Sequence, residues 1–182
     1  MFLIVSEVIM FLQSYNFFET GMSITYADIR EYKVKIDRQY DVRRSKLQKL
    51  GYKLVKEYKK SLCLPAERWR DSKGVDRPYV SVGHLNEDGA FQKTTLAAIN
   101  LTDDYTLTFK VSTVIDDQPL TGGKQFLSTI SMLYRDGMLN VDVGHCQRSI
   151  IVAVQEEEDA FIEVCLTMKQ IIISALSDTR LE

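Results

Sequence analysis

The stretch DYTLTFKVSTVI, residues 104–115, decides the class of fold. Tyr105, Leu107, Phe109, Val111, Thr113 and Ile115 alternate with Thr106, Thr108, Lys110 and Ser112. A period of two puts the first set on one face of a strand and the second on the other. Apolar on one side and polar on the other is the pattern of an antiparallel sheet with one wet face. Downstream, residues 125–135 and 138–143 read as two further strands, joined at Asp136-Gly137, a two-residue hairpin signal. A turn over 144–147 leads to a strand over 148–154. Upstream, 78–85 reads as a strand and Asn86-Glu87-Asp88-Gly89 as a hairpin turn. A second strand is expected within 90–101, although Leu96-Ala97-Ala98-Ile99 also suits a short helical turn. The result is an antiparallel meander of five or six strands over 78–154.

On both sides of this region the period changes to that of a helix. Over 23–64, apolar residues recur at Ile29, Tyr32, Ile36, Tyr40, Leu47, Leu50, Leu54, Tyr58 and Leu62. Gly21 suits the end of a preceding segment, Ser23 an N-cap, and Asp28 the positive end of the helix dipole. Gly51 is expected to mark a bend, and Pro65 supplies the stop. Residues 66–77 read as a polar connector carrying the sole tryptophan, Trp69. A last helix is expected over 156–177, with Glu156, Glu157, Glu158 and Asp159 in its first turn. Phe161, Cys165, Met168, Ile172 and Ala175 form one apolar stripe; Ile162, Leu166 and Ile173 form another. A helix apolar around most of its girth needs cover on more than one side. The predicted fold is α+β in a single domain over 1–182: N-terminal helices, one long and basic, an antiparallel sheet, and a C-terminal helix on the same sheet face.

Residues 1–21 begin MFLIVSEVIMFLQSYNFF, interrupted by Glu7, Gln13, Ser14 and Asn16. No basic leading region or small-residue cleavage site accompanies them. The run is short of the roughly 20 apolar residues a spanning helix needs. A buried helix is expected; the alternatives are an interfacial membrane helix and an extension upstream of a start at Met22-Ser23. The apolar fraction of 45% and charged fraction of 26% fit a soluble globular protein. Cys63, Cys146 and Cys165 form no metal-type spacing, and an odd, scattered set reads as free thiols in the cytoplasm.

Function is less legible. Between Arg30 and Lys60 twelve cations face four anions, a local charge of +8 in a chain whose net charge is −2. Arg38, Arg43, Arg44, Lys46, Lys49 and Lys53 could neutralise phosphates, and interleaved tyrosines could stack on bases. The cations circle the helix, however, and the bland alternative is a solvated face balanced by acidic surface elsewhere. Trp69, Tyr79, Phe91 and Tyr105 could line a ligand pocket between helix and sheet, against the simpler reading of core packing.

His145-Cys146 is adjacent in a turn, which is no sign of a nucleophile pair, and His84 stands alone. The pairs Glu87-Asp88, Asp103-Asp104 and Asp116-Asp117 fall at turns, where Asp serves the backbone. Asp104 and Lys110 share the polar face of a strand at a spacing that matches no defensible metal-dependent nuclease. Gly122-Gly123-Lys124 lacks the rest of a phosphate loop. No catalytic residue, cofactor or metal is assigned. The chain reads as a non-catalytic protein-interaction or small-ligand-binding protein, a homodimer through Ile162, Leu166 and Ile173 or a binder of another protein. Nucleic-acid binding is the alternative and a hydrolase the third.

Overall fold

Thr25 starts the first helix. Its backbone N–H and its hydroxyl donate to Asp28 Oδ2 at 2.8 and 2.7 Å, and Asp28 N–H donates back to Thr25 Oγ1 at 3.3 Å. This reciprocal box closes the helix end two residues later than the expected Ser23 cap. Its hydrogen bonds to the Thr25 hydroxyl and backbone hold the Asp28 carboxyl below the usual range. The computed structural model describes residues 24–118, 122–144, 147–153 and 159–177. The apolar leader and the acidic run at 156–158 therefore lie outside the described residues.

Helix α1 runs unbroken over Tyr26–Ser61. The chain divides into two units, residues 1–40 and 41–182. In the first, the described helix is exposed at Tyr26, Ile29, Tyr32, Val34 and Ile36, and Lys33 pairs with Asp37 one turn on. In the second, α1 buries Leu47, Gly51, Leu54, Val55 and Tyr58, a run of three- and four-residue steps along one side.

Strands β1 (Arg68–Arg70) and β2 (Asp76–Pro78) form a separate two-stranded hairpin where a connector was expected. Composition hid it: polar residues fill the turn, and Asp71 organises it. The Asp71 carboxylate accepts from the N–H groups of Lys73 and Val75 and from the Arg77 guanidinium at 2.6 Å. The Arg77 bond foremost, then the Val75 N–H, draws the Asp71 pKa down. Trp69 points inward between two exposed arginines.

The main sheet has six strands: β3 (Val80–Leu85), β4 (Phe91–Lys93), β5 (Leu107–Val114), β6 (Gln125–Arg135), β7 (Met138–Val143) and β8 (Arg148–Val152). All pairings are antiparallel. The order β4-β3-β5-β6-β7-β8 departs from a pure meander because β4 folds back to the outer edge of β3. The chain then returns through the 3-10 turn Leu96–Ala98, the helical alternative of the sequence reading. Gly83 on β3 allows the fold-back: a Cβ there would stand 2.1 Å from the Gln92 carbonyl and 2.7 Å from the Phe91 ring.

Leu107, Phe109 and Val111 pair across β6 with Met132, Ile130 and Ser128, and β6 continues to Val141 and Val143. These side chains are buried and form the core face. The other face is polar, with Thr108 bonded to Ser131 and Ser112 donating to Gln125. The expected alternation holds from Leu107 to Val111, whereas Ser112, Thr113 and Val114 are all buried, and Tyr105 is not in the strand. It sits at φ 55° in a turn closed by Thr102, and the strand begins at Leu107. Asp136 and Gly137 both take positive φ, as a type I′ hairpin demands.

Helix α2 (Ile162–Leu176) lies against β7 and β8 and buries Val164, Cys165, Thr167, Met168 and Ile172. It starts later than expected, after Asp159 turns the chain at φ 69°. Its first turn is fixed by α1: the Phe161 N–H donates to Glu57 Oε2 at 2.9 Å. Lys169 Nζ in turn donates to the Ser61 carbonyl, one of the unsatisfied acceptors at the end of α1, at 3.3 Å. Each helix thereby satisfies a terminal group of the other.

Candidate functional site

Residues 43–52 of α1 grip the segment after the 3-10 turn. Arg44 Nη1 donates to Asn100 Oδ1 at 3.3 Å, and Gln48 Nε2 donates to the carbonyls of Ala97 and Ile99. Tyr52 OH accepts from the Ala97 N–H. Arg43 Nη2 donates to the Tyr134 carbonyl at 2.6 Å, and its guanidinium lies 5.7 Å from the Tyr105 ring centroid. Lys46 Nζ stands 3.4 Å over the Tyr134 ring. Lys53 pairs with Glu57 at 3.9 Å. Four of the six cations singled out for phosphate contact therefore join α1 to the rest of its own unit or to its own helix. Arg38 and Lys49 are exposed.

Neither of the two clefts described below is lined by the four aromatics. Trp69 is buried, with its ring edge 3.2 Å from where a Gly123 Cβ would stand. Tyr79 is buried and donates its hydroxyl to Asp117 at 2.6 Å, a bond that raises its pKa. Phe91 covers Gly83 at the sheet edge, and Tyr105 backs Arg43.

Buried ionisable groups serve packing. Tyr58 and Thr113 share a 3.0 Å hydrogen bond under α1, and burial raises the phenol's pKa. Burial and, next, the Glu57 carboxylate push the Cys165 thiol up to about 11, so it is a poor nucleophile at neutral pH. Among the described residues, no group of three or more His, Cys, Asp or Glu is placed to hold a metal ion. Among them too, no helix is long and apolar enough to cross a membrane.

Two surfaces stand out. On α2, Ile162, Leu166, Ile173 and Leu176 are 68, 50, 65 and 51% exposed. With Lys169 they form a seam of steps 4, 3, 4 and 3, the spacing with which one helix meets another. Lys169 reaches back to the Ser61 carbonyl. Beside the seam runs a groove of about 450 Å³ lined by Phe126, Arg148, Gln170, Ile171, Ser174 and Ala175 among others. Sequence reading found three seam residues but not Leu176, whose position three residues after Ile173 was the available signal. The second surface is a cleft of about 740 Å³ at the C-terminal end of α1, which sequence reading missed. Its residues come from five separate elements and a connector, so no local spacing announces it. No protein family, curated protein or solved structure matches the chain.

Proposed function

We propose that the chain is a non-catalytic interaction protein of the reducing cytoplasm that forms a homodimer through the exposed face of α2. The observation that carries this is the seam Ile162, Leu166, Ile173 and Leu176, solvent-facing in a helix whose opposite side is buried. The seam runs the length of the helix on both sides of Lys169. In a homodimer about a two-fold axis each copy offers this same patch to the other. The flanking groove extends the patch. The free thiols Cys63 and Cys165 fit a reducing compartment.

Nucleic-acid binding through α1 has less support, since Arg43, Arg44, Lys46 and Lys53 have partners within the chain. Sedimentation velocity from about 1 to 100 μM tests the proposal, because association follows protomer concentration. The wild type sediments as a dimer, and Leu166→Asp/Ile173→Asp as a monomer with an unchanged circular dichroism spectrum. A monomeric wild type across the range, or a dimeric double variant, overturns it.

A further inference from the structure

The cleft at the end of α1 has its own chemistry. Lys59 and Lys60 enter from the last turn of the helix, Arg68 from β1 and Lys93 from β4. Among the described residues Glu67 is the one carboxylate in the lining. Four cations against one anion exceed what the helix C-terminus needs: its dipole amounts to about half a negative charge, and Lys169 already donates to the Ser61 carbonyl there. The contacts that engage Lys60 and Arg68 among the described residues are weak. Lys60 approaches Asp159 at 3.9 Å with both side chains largely in water, and Arg68 donates to the Asp76 carbonyl at 3.3 Å.

The walls behind the charges are apolar. Leu64, Ala66, Pro78 and Val80 line the same cavity, and Val80 is buried. A concave space of this volume, apolar with a few converging charges, is the general form of a small-molecule site. Several cations around one space suit a ligand of more than one negative charge, because a single carboxylate would leave most of them unpaired. The apolar wall gives the ligand's uncharged part somewhere to lie. We propose that this cleft binds a small organic phosphate, its phosphates among Lys59, Lys60, Arg68 and Lys93 and its apolar part against Leu64, Pro78 and Val80. The site is independent of the α2 seam.

Cys63 is exposed and lines the cleft, so its thiol reports on occupancy. The full chain carrying Cys146→Ser is treated with uncharged iodoacetamide, alone or with ATP, inorganic pyrophosphate or adenosine. The expected result is that ATP slows Cys63 alkylation by about tenfold or more at millimolar concentration, pyrophosphate slows it less, and salt weakens both effects. Lys59→Glu/Lys93→Glu abolishes the protection. The charge-matched variant Lys49→Glu/Lys56→Glu, altered on α1 outside the cleft, keeps it. No protection by ATP overturns the site. Equal protection by pyrophosphate and ATP overturns its organic half, and equal loss in both double variants reduces it to general surface charge and overturns it as well.

Discussion

Gly51 occupies the middle of a long helix, where glycine costs about 1 kcal/mol relative to alanine. Replacing it by alanine sets two effects of similar size against each other. A Cβ there would lie 3.6 Å from Phe109 Cε1 and 3.7 Å from Leu107 Cδ2, ordinary contact distances. It would also lie 3.0 Å from Leu96 Cδ1, and Leu96 is only 1% exposed, so that side chain must give way by a few tenths of an ångström. Crowding a packed core by one methyl costs about 1 kcal/mol or somewhat more. Gly51→Ala should therefore stay within about 1 kcal/mol of wild type.

Gly51→Leu drives three more carbons at the same wall and should cost about 3 kcal/mol or more. Leu96→Ala alone should cost about 2–4 kcal/mol. In that background the crowding is gone, so adding Gly51→Ala should return about 1 kcal/mol. Urea unfolding followed by circular dichroism on wild type, both single alanine variants and the double variant closes the cycle. If Gly51→Ala gains the whole helix-propensity term with Leu96 in place, or if Gly51→Leu is neutral, close approach to the core is not why glycine stands there.

Glu57→Ala should cost about 1–2 kcal/mol by stripping the Phe161 N–H of its acceptor, while Glu57→Gln keeps an acceptor and should cost less; equal melting of all three proteins would refute the capping role. Alkaline stability should depend on Cys165 and Tyr58, both buried and neutral with raised pKa values. The Cys165 contribution is complete well below pH 9.0, where the unfolded thiol is half ionised, and is lost as pH rises through about 11, about 2–3 kcal/mol in all. Urea midpoints from pH 8 to 11 should fall more steeply for wild type than for Cys165→Ala, and parallel profiles would contradict this. Gly83→Ala should detach β4, seen as faster exchange of the Thr94 amide that donates to the Val82 carbonyl, because its Cβ would meet the Gln92 carbonyl at 2.1 Å; unchanged exchange would count against the fold-back geometry.

What sequence could disclose follows the range of the interaction. β6 and β7 emerged with their observed bounds because alternation and Asp136-Gly137 are local signals. The β1–β2 hairpin escaped notice because its turn depends on one carboxylate collecting donors from Lys73, Val75 and Arg77. Gly51 looks like a bend in the sequence because its reason lies 45 residues away, at Leu96. The basic run was visible as charge, but which cations stay free depends on Tyr134, Tyr105 and Asn100. The seam on α2 was partly legible from its period, whereas the cleft, gathered from α1, β1, β2, β3 and β4, left no trace in any one stretch.

The mutual sealing of the two helix ends spans 104 residues at Glu57 and 108 at Ser61. On a ribosome adding about 5–20 residues per second, the first helix therefore waits some 5–20 s for the partner that finishes its tip. Through that interval the Glu57 carboxylate and the Ser61 carbonyl lack the partners that α2 brings. The tip of the first helix is thus finished only after α2 has been made.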